Sequence, residues 1–228
     1  MSKGIFITAT GTDVGKTYVT SLIVKLLRQS GMNAGYYKAA LSGADVVDGE
    51  LIPGDCKVVA DTAGLAVRPQ DMVSYIYKTA VSPHLAAQIE KQPIETDVIL
   101  ADFAKAKQQY DYITVEGSGG IICPLRLDEK ELMLIDIIKL LKLDIIVVAS
   151  AELGTINSVV LTIDYARSKE ILVKGIILNK YDNGNFLHRD NKKSIERLTG
   201  LPVITCVANN DENLTLDAKI LCECYKEV

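Results

Sequence analysis

Short apolar runs rich in β-branched side chains recur along this chain, and longer stretches with apolar positions at helical spacing follow most of them. Residues 5–10 precede 16–29, residues 112–116 precede 132–141, residues 145–150 precede 155–168, and residues 175–179 precede 191–199. In each pair the first member reads as a buried strand and the second as an amphipathic helix. Residues 34–38 and 203–206 add two strands, and residues 55–64 and 83–90 add two helices. Ser82 can cap the last of these, with Pro83 in the first helical position. This alternation predicts an α/β fold, a mostly parallel sheet with helices on both faces. Residues 44–54, with Asp45, Asp48 and Glu50 among Gly49, Pro53 and Gly54, read as an exposed loop. Ligands in such sheets bind at the carboxyl ends of the strands.

The chain has 228 residues, of which 48% are hydrophobic and 24% charged, enough for one large domain spanning 1–228 and little more. A formal charge of −4 and a pI near 5.3 offer no general attraction to nucleic acid or to an anionic membrane. A small substrate is expected. Cys56, Cys123, Cys206, Cys222 and Cys224 form no C-x-x-C pair, which fits a reduced, cytoplasmic chain. His84 and His188 are the only histidines and neither has a ligand-spaced neighbour, so no zinc site is expected. No apolar stretch reaches membrane-spanning length, and the start of the chain is too brief for a signal peptide.

Chemistry concentrates at three strand ends. The first strand runs into ATGTDVGKT, residues 9–17, where Gly15, Lys16 and Thr17 open a helix. Backbone N–H groups there can face phosphate, the lysine can reach the β and γ oxygens, and the hydroxyl can hold Mg²⁺. The full phosphate-loop pattern has glycine where this chain has Thr10, with Gly11 beside it. The expected architecture is the three-layer fold of P-loop NTPases. The strand YDYITVE ends in Glu116, followed by Gly117, Ser118, Gly119 and Gly120, and an acid at that position suits a metal ligand. Lys38 ends another strand, with Ser42 and Gly43 following, and suits an anionic oxygen as a point charge. Cys56 reads as a small buried residue rather than a nucleophile.

The order of these pieces resembles dethiobiotin synthetases over nearly the whole chain. It rests on T-D-V-G-K-T at 12–17, Y-K with S-G at 37, 38, 42 and 43, Gly54-Asp55, S-P-H at 82–84, V-E-G-S-G-G with P-L within 115–125, L-G-T-I-N at 153–157, and Asn179. Ala9 stands where that family often has glycine, and Ala39 where proline is common. The resemblance implies an ATP-dependent enzyme that closes a ureido ring on 7,8-diaminononanoate with CO₂ or bicarbonate, through a carbamate and a carbamic-phosphoric anhydride. By the same resemblance Lys38, Lys16 and Thr12 hold the reacting carbamate. Asp13, Val14, Gly15, Lys16, Thr17, Tyr18, Glu116 and Asn179 bind the nucleotide. Thr12, Lys38, Ser42, Ser118 and Gly119 touch the diamine, and Thr17, Asp55 and Glu116 hold Mg²⁺. Thr155, Ile156 and Asn157 reach the substrate from a neighbouring subunit, which implies a homodimer with a shared site. From the residues alone, Thr155 or Asn157 could equally be a helix cap.

The stretch Asn179-Lys180-Tyr181-Asp182 matches a guanine-reading N-K-x-D pattern in four letters. Adenine is favoured, since no other GTPase switch feature is visible, and guanine stays open. A rival reading is a partition or positioning ATPase, but those carry a lysine early in the loop where this chain has Gly11. An iron-protein type would need a cysteine partnering Cys123 at family spacing. The cobyrinate amidating ligases need a further glutaminase domain, for which there is no room.

Overall fold

The computed structural model describes residues 1–228. In chain order its elements are β1 (Lys3–Ala9), α1 (Lys16–Gln29), β2 (Ala34–Ser42), β3 (Asp45–Val47), β4 (Glu50–Ile52), α2 (Gly54–Ala63), β5 (Val73–Tyr77), α3 (Pro83–Ile89), α4 (Thr96–Gln109) and β6 (Tyr112–Glu116). The chain continues with β7 (Pro124–Leu127), β8 (Glu131–Met133), α5 (Leu134–Leu140), β9 (Ile145–Ser150), α6 (Thr155–Ser168), β10 (Val173–Asn179), α7 (Phe186–Thr199), β11 (Val203–Cys206), α8 (Ala218–Cys224) and β12 (Lys226–Glu227).

Seven strands pair in parallel in the order β11, β10, β9, β1, β6, β2, β5, and β12 joins antiparallel at the start of β1. Burial on both faces explains the near-continuous apolar runs. Ile5, Ile7 and Ala9 pack with Ile146 and Val148 on one face. Phe6 packs with Ile113, Val115, Ile145 and Val147 on the other. Each such Ile, Val or Phe side chain contributes about 1.5–3 kcal/mol by leaving water. The predicted α/β fold with helices on both faces is therefore the observed one.

Several predicted boundaries move. Residues 44–54 are a two-stranded hairpin, β3 with β4, rather than a loop. Asp48 and Gly49 turn it with φ of 51° and 84°, the two-residue turn that V-V-D-G-E-L encodes. Residues 132–141 divide, because Leu132 pairs with Arg126 in an antiparallel ribbon and the helix begins only at Leu134. There Asp136 Oδ2 accepts the Met133 N–H at 2.8 Å, which fixes the helix start. Helix α7 begins at Phe186, five residues before the predicted 191, because Asn185 Oδ1 accepts the Leu187 N–H at 3.0 Å. Pro83 takes the first helical position of α3, but the Ser82 side chain makes no cap bond.

What this topology does for function is a matter of register. Across the β2–β6 pair, Lys38 lies opposite Glu116, and across β1–β6, Ile7 lies opposite Glu116. The acid thus ends a strand flanked on one side by the lysine and on the other by the strand that feeds residues 10–15.

Candidate active site

The β1–α1 connection turns on two residues of positive φ, Asp13 at 60° and Gly15 at 84°. Gly15 is the N-cap of α1 and no side chain caps that helix, so the N–H groups of its first turn are free to face an anion. Gly15 also packs tightly. A Cβ there would fall 2.0 Å from Asn179 Nδ2, so no other residue fits.

Beneath this loop four charged side chains close on one another. Glu116 Oε1 accepts from Lys16 Nζ at 2.9 Å, Lys38 Nζ at 2.8 Å and Thr17 Oγ1 at 2.8 Å. Lys38 Nζ also donates to Asp55 Oδ2 at 2.6 Å. Glu116 Oε2 accepts from the Tyr36 hydroxyl at 3.2 Å. Burial by itself would raise the Glu116 carboxyl, but the ammoniums of Lys16 and Lys38 outweigh it and hold it at about 2. Burial likewise opposes the charge on Lys38, and the two carboxylates overcome it, so its pKa lies above the ordinary lysine range. For Lys16 burial wins and its pKa is lowered. Lys38 is thus a fixed cation, fitted to neutralise an anion and unfitted to accept a proton.

A cleft of 560 Å³ opens above the cluster. Of the residues the sequence singled out, Thr12, Asp13, Gly15, Lys16, Thr17, Tyr18, Lys38, Ser42, Asp55, Ser118 and Gly119 line it, and Val14, Glu116 and Asn179 do not. Ser42 Oγ donates to the Val81 carbonyl and Ser118 Oγ to the Ala40 carbonyl, bonds that hold the two hydroxyls at the cleft wall. Val81 and Cys123 also line the cleft, and sequence reasoning gave neither a role there. Burial pushes the Cys123 thiol up to about 11, so it lines the wall as a neutral group. Thr155, Ile156 and Asn157 do not line the cleft of their own chain. Gly154, at φ 92°, is the N-cap of their helix, so neither Thr155 nor Asn157 is its cap.

Asn179 sits at the tip of β10, 4% exposed. Its Nδ2 donates to the Val14 carbonyl at 2.9 Å, and its Oδ1 is buried without a partner. Asp182 is folded into its own turn: Oδ1 accepts the Gly184 N–H at 2.8 Å and its backbone N–H donates to His188 Nδ1 at 2.9 Å. Sequence reasoning missed a neighbour here. The segment after β11 closes onto α1, where the Tyr18 hydroxyl donates to the Asp211 carbonyl and Lys25 Nζ to the Glu212 carbonyl at 2.8 Å. Its position beyond a strand's carboxyl end was the signal that could have found it.

Thr17, Asp55 and Glu116 form a donor set of one hydroxyl and two carboxylates, all oxygen. Lys38 bridges the two acids with a positive charge at 2.6 and 2.8 Å. Such a set fits Mg²⁺, which is held by one or two carboxylates plus substrate phosphates rather than by an all-protein cage.

Residues 3–215 match the family described as an AAA domain. An ATP-dependent dethiobiotin synthetase of Clostridium botulinum (strain 657 / Type Ba4) is 52% identical over 228 residues, covering 100% of both chains. Another, from Clostridium botulinum (strain Eklund 17B / Type B), is 50% identical over 225 residues, 99% of each. Among solved structures, a ParA family ATPase from Chlorobium tepidum TLS superposes with a TM-score of 0.56 at 16% identity, covering 92% of this chain and 84% of that one. The MinC:MinD cell division complex of Aquifex aeolicus gives 0.57 at 16% identity, covering 92% and 83%. At that identity the likeness speaks for a shared fold alone.

Proposed function

The chain belongs to the family of ATP-dependent dethiobiotin synthetases, and from that membership we propose that it closes the ureido ring of dethiobiotin from 7,8-diaminononanoate and CO₂. It is an ATP-dependent ligase of biotin biosynthesis. The observation that carries the mechanism is the position of Lys38, a fixed cation 2.6 Å from Asp55 and 2.8 Å from Glu116 beneath the phosphate loop. One substrate amine takes up CO₂ as a carbamate and releases a proton, and the carbamate oxygen attacks the γ-phosphorus of ATP and displaces ADP. The second amine then attacks the carbamoyl carbon, closes the ring and releases phosphate. The carbamate, the carbamic-phosphoric anhydride and the released phosphate are each anions held beside the anionic nucleotide. Lys38 and Lys16 lower that repulsion in a site partly shielded from water, where charge stabilisation is strongest. Thr12, at the rim, donates a hydroxyl to the carbamate, and Ser42, Ser118 and Gly119 contact the diamine. Mg²⁺, held by Thr17, Asp55 and Glu116, would supply charge neutralisation at the phosphates.

The phosphate loop from Asp13 to Tyr18 cradles ATP, and Asn179 reads its base. Nδ2 gives one of its two N–H groups to Val14 and Oδ1 has no partner, so the side chain keeps an acceptor with one donor beside it. That pair suits the exocyclic amine and ring nitrogen of adenine, whereas the 6-oxygen of guanine would face the acceptor unfavourably. Asp182 is assigned no part in reading the base, since its Oδ1 accepts the Gly184 N–H and ties it to its own turn. The uncapped N-terminus of α6, with Thr155, Ile156 and Asn157, binds the far carboxylate of a substrate held mainly by a second subunit of a homodimer. In support, Leu153 and Leu161 on this part of the chain are 85% and 61% exposed.

Incubation of the purified protein with 7,8-diaminononanoate, bicarbonate, Mg²⁺ and each of ATP, GTP and CTP tests this. Ring-closed product by mass spectrometry, dependent on diamine and bicarbonate and highest with ATP, is expected. Phosphate release without product, or release only on addition of DNA or membrane, would replace the ligase with a switch ATPase.

A further inference from the structure

Glu116 has two oxygens in different surroundings. Oε1 takes three donors that themselves line the cleft: Lys16, Lys38 and Thr17. Oε2 takes one, the hydroxyl of Tyr36 at 3.2 Å. Tyr36 is 1% exposed, and it packs in the apolar cluster with Val24, Leu41, Cys56 and Val59 between β2, α1 and α2. It lies outside the lining of that cleft. A buried phenol donating to a buried carboxylate constrains how that carboxylate is turned.

We propose that Tyr36 is a positioning residue that holds Oε2 of Glu116 away from the cleft, so that Glu116 presents a single oxygen, Oε1, to the metal. This rests on the assignment of Glu116 as an Mg²⁺ ligand. Mg²⁺ requires a compact octahedral shell and accepts carboxylates through one oxygen, whereas Ca²⁺ readily takes both oxygens of one carboxylate. A carboxylate pinned from behind therefore favours the smaller ion. Partners behind a metal ligand commonly carry 10–100-fold in metal affinity. The lower end is expected here, because a phenol is a neutral donor at 3.2 Å.

The test is a titration of Mn²⁺ followed by electron paramagnetic resonance of the free ion, in the presence of a non-hydrolysable ATP analogue, with Mg²⁺ and Ca²⁺ as competitors. It compares wild type, Tyr36→Phe, Val24→Ala and Glu116→Gln, each first shown by thermal melting to be folded. Tyr36→Phe is expected to weaken Mn²⁺ and Mg²⁺ about tenfold and Ca²⁺ less, so that Ca²⁺ competes better than in wild type. Val24→Ala disturbs the same cluster without removing a hydroxyl and is expected to melt lower with metal affinity within about twofold of wild type. Unchanged affinity in Tyr36→Phe, with Glu116→Gln strongly weakened, overturns the positioning role and leaves the metal assignment standing. Equal weakening in Val24→Ala and Tyr36→Phe also overturns it, since packing alone would then account for the loss. Unchanged affinity in Glu116→Gln overturns the metal assignment itself, and the Tyr36 proposal with it.

Discussion

Two regions of the molecule are built on opposite terms. Around Glu116 every charged group has found a partner inside the chain: two lysines, two acids, a threonine and a tyrosine close on one another with bonds of 2.6 to 3.2 Å. Around Asn179 and α6 the chain leaves atoms unmet. Asn179 Oδ1 and Thr155 Oγ1 are buried without hydrogen-bond partners, and Leu153 is 85% exposed. A buried polar atom with no partner costs about 1–3 kcal/mol, a cost that a base or another subunit would relieve under the proposed function. The first region would instead have to open, as an incoming anion and cation exchange places with its internal pairs. The proposal accordingly assigns chemistry to the first and recognition to the second.

The strongest way to break the contrast is to remove the cation at the centre. Lys38→Met is expected to lower ring closure in single-turnover assays by about 100–1,000-fold, the range for loss of one preorganised charge stabiliser, while nucleotide binding survives. Retained ring closure would deny Lys38 its role.

A second test uses acid. Glu116 is held at about 2 against an ordinary 4.5, so its contribution to stability is fully present above pH 4.5 and is lost as pH falls towards 2. Urea denaturation across that window should show wild type losing roughly 3 kcal/mol from this group. Glu116→Gln should begin less stable and fall less steeply. Parallel curves would mean that the two lysines do not hold the carboxylate as described.

In the other region the effects are smaller and concern binding. Leu161→Asp places a charge on an exposed apolar position of α6 and should shift sedimentation towards monomer. The diamine KM should rise about tenfold with nucleotide affinity nearly unchanged, as expected if the neighbouring subunit completes only the diamine site. Asn179→Ala should raise the KM for ATP about tenfold and erase the preference for ATP over GTP. Asp182→Asn should change either KM by less than about twofold, because its carboxylate serves the Gly184 N–H. A large rise in GTP use by Asp182→Asn would sharpen the comparison differently, by making Asp182 a guanine-repelling group.

Much of this molecule was legible before any coordinates. Runs of β-branched residues buried on both faces must form central strands, and G-K-T after the first of them must open a helix towards an anion. Local chemistry determined these features, which is why Lys16, Thr17, Lys38 and Glu116 could be named from strand ends and loops, whereas Asp55 came only from the family resemblance. The 48–49 turn was equally local and was passed over, since D-G between apolar pairs encodes a hairpin. The tertiary structure alone decided what needs contacts across the sequence. Strand register set Lys38 opposite Glu116, 78 positions away. Folding brought Asn179 against Val14, 165 positions away, and left its Oδ1 without a partner. Tyr36 looked like one more apolar position of a strand, and the alternation that buries its ring says nothing of its hydroxyl. Only the approach of β6 gives that hydroxyl a carboxylate to hold, because hydrogen bonds depend on tenths of an ångström between elements, while hydrophobic patterning depends only on which face is dry.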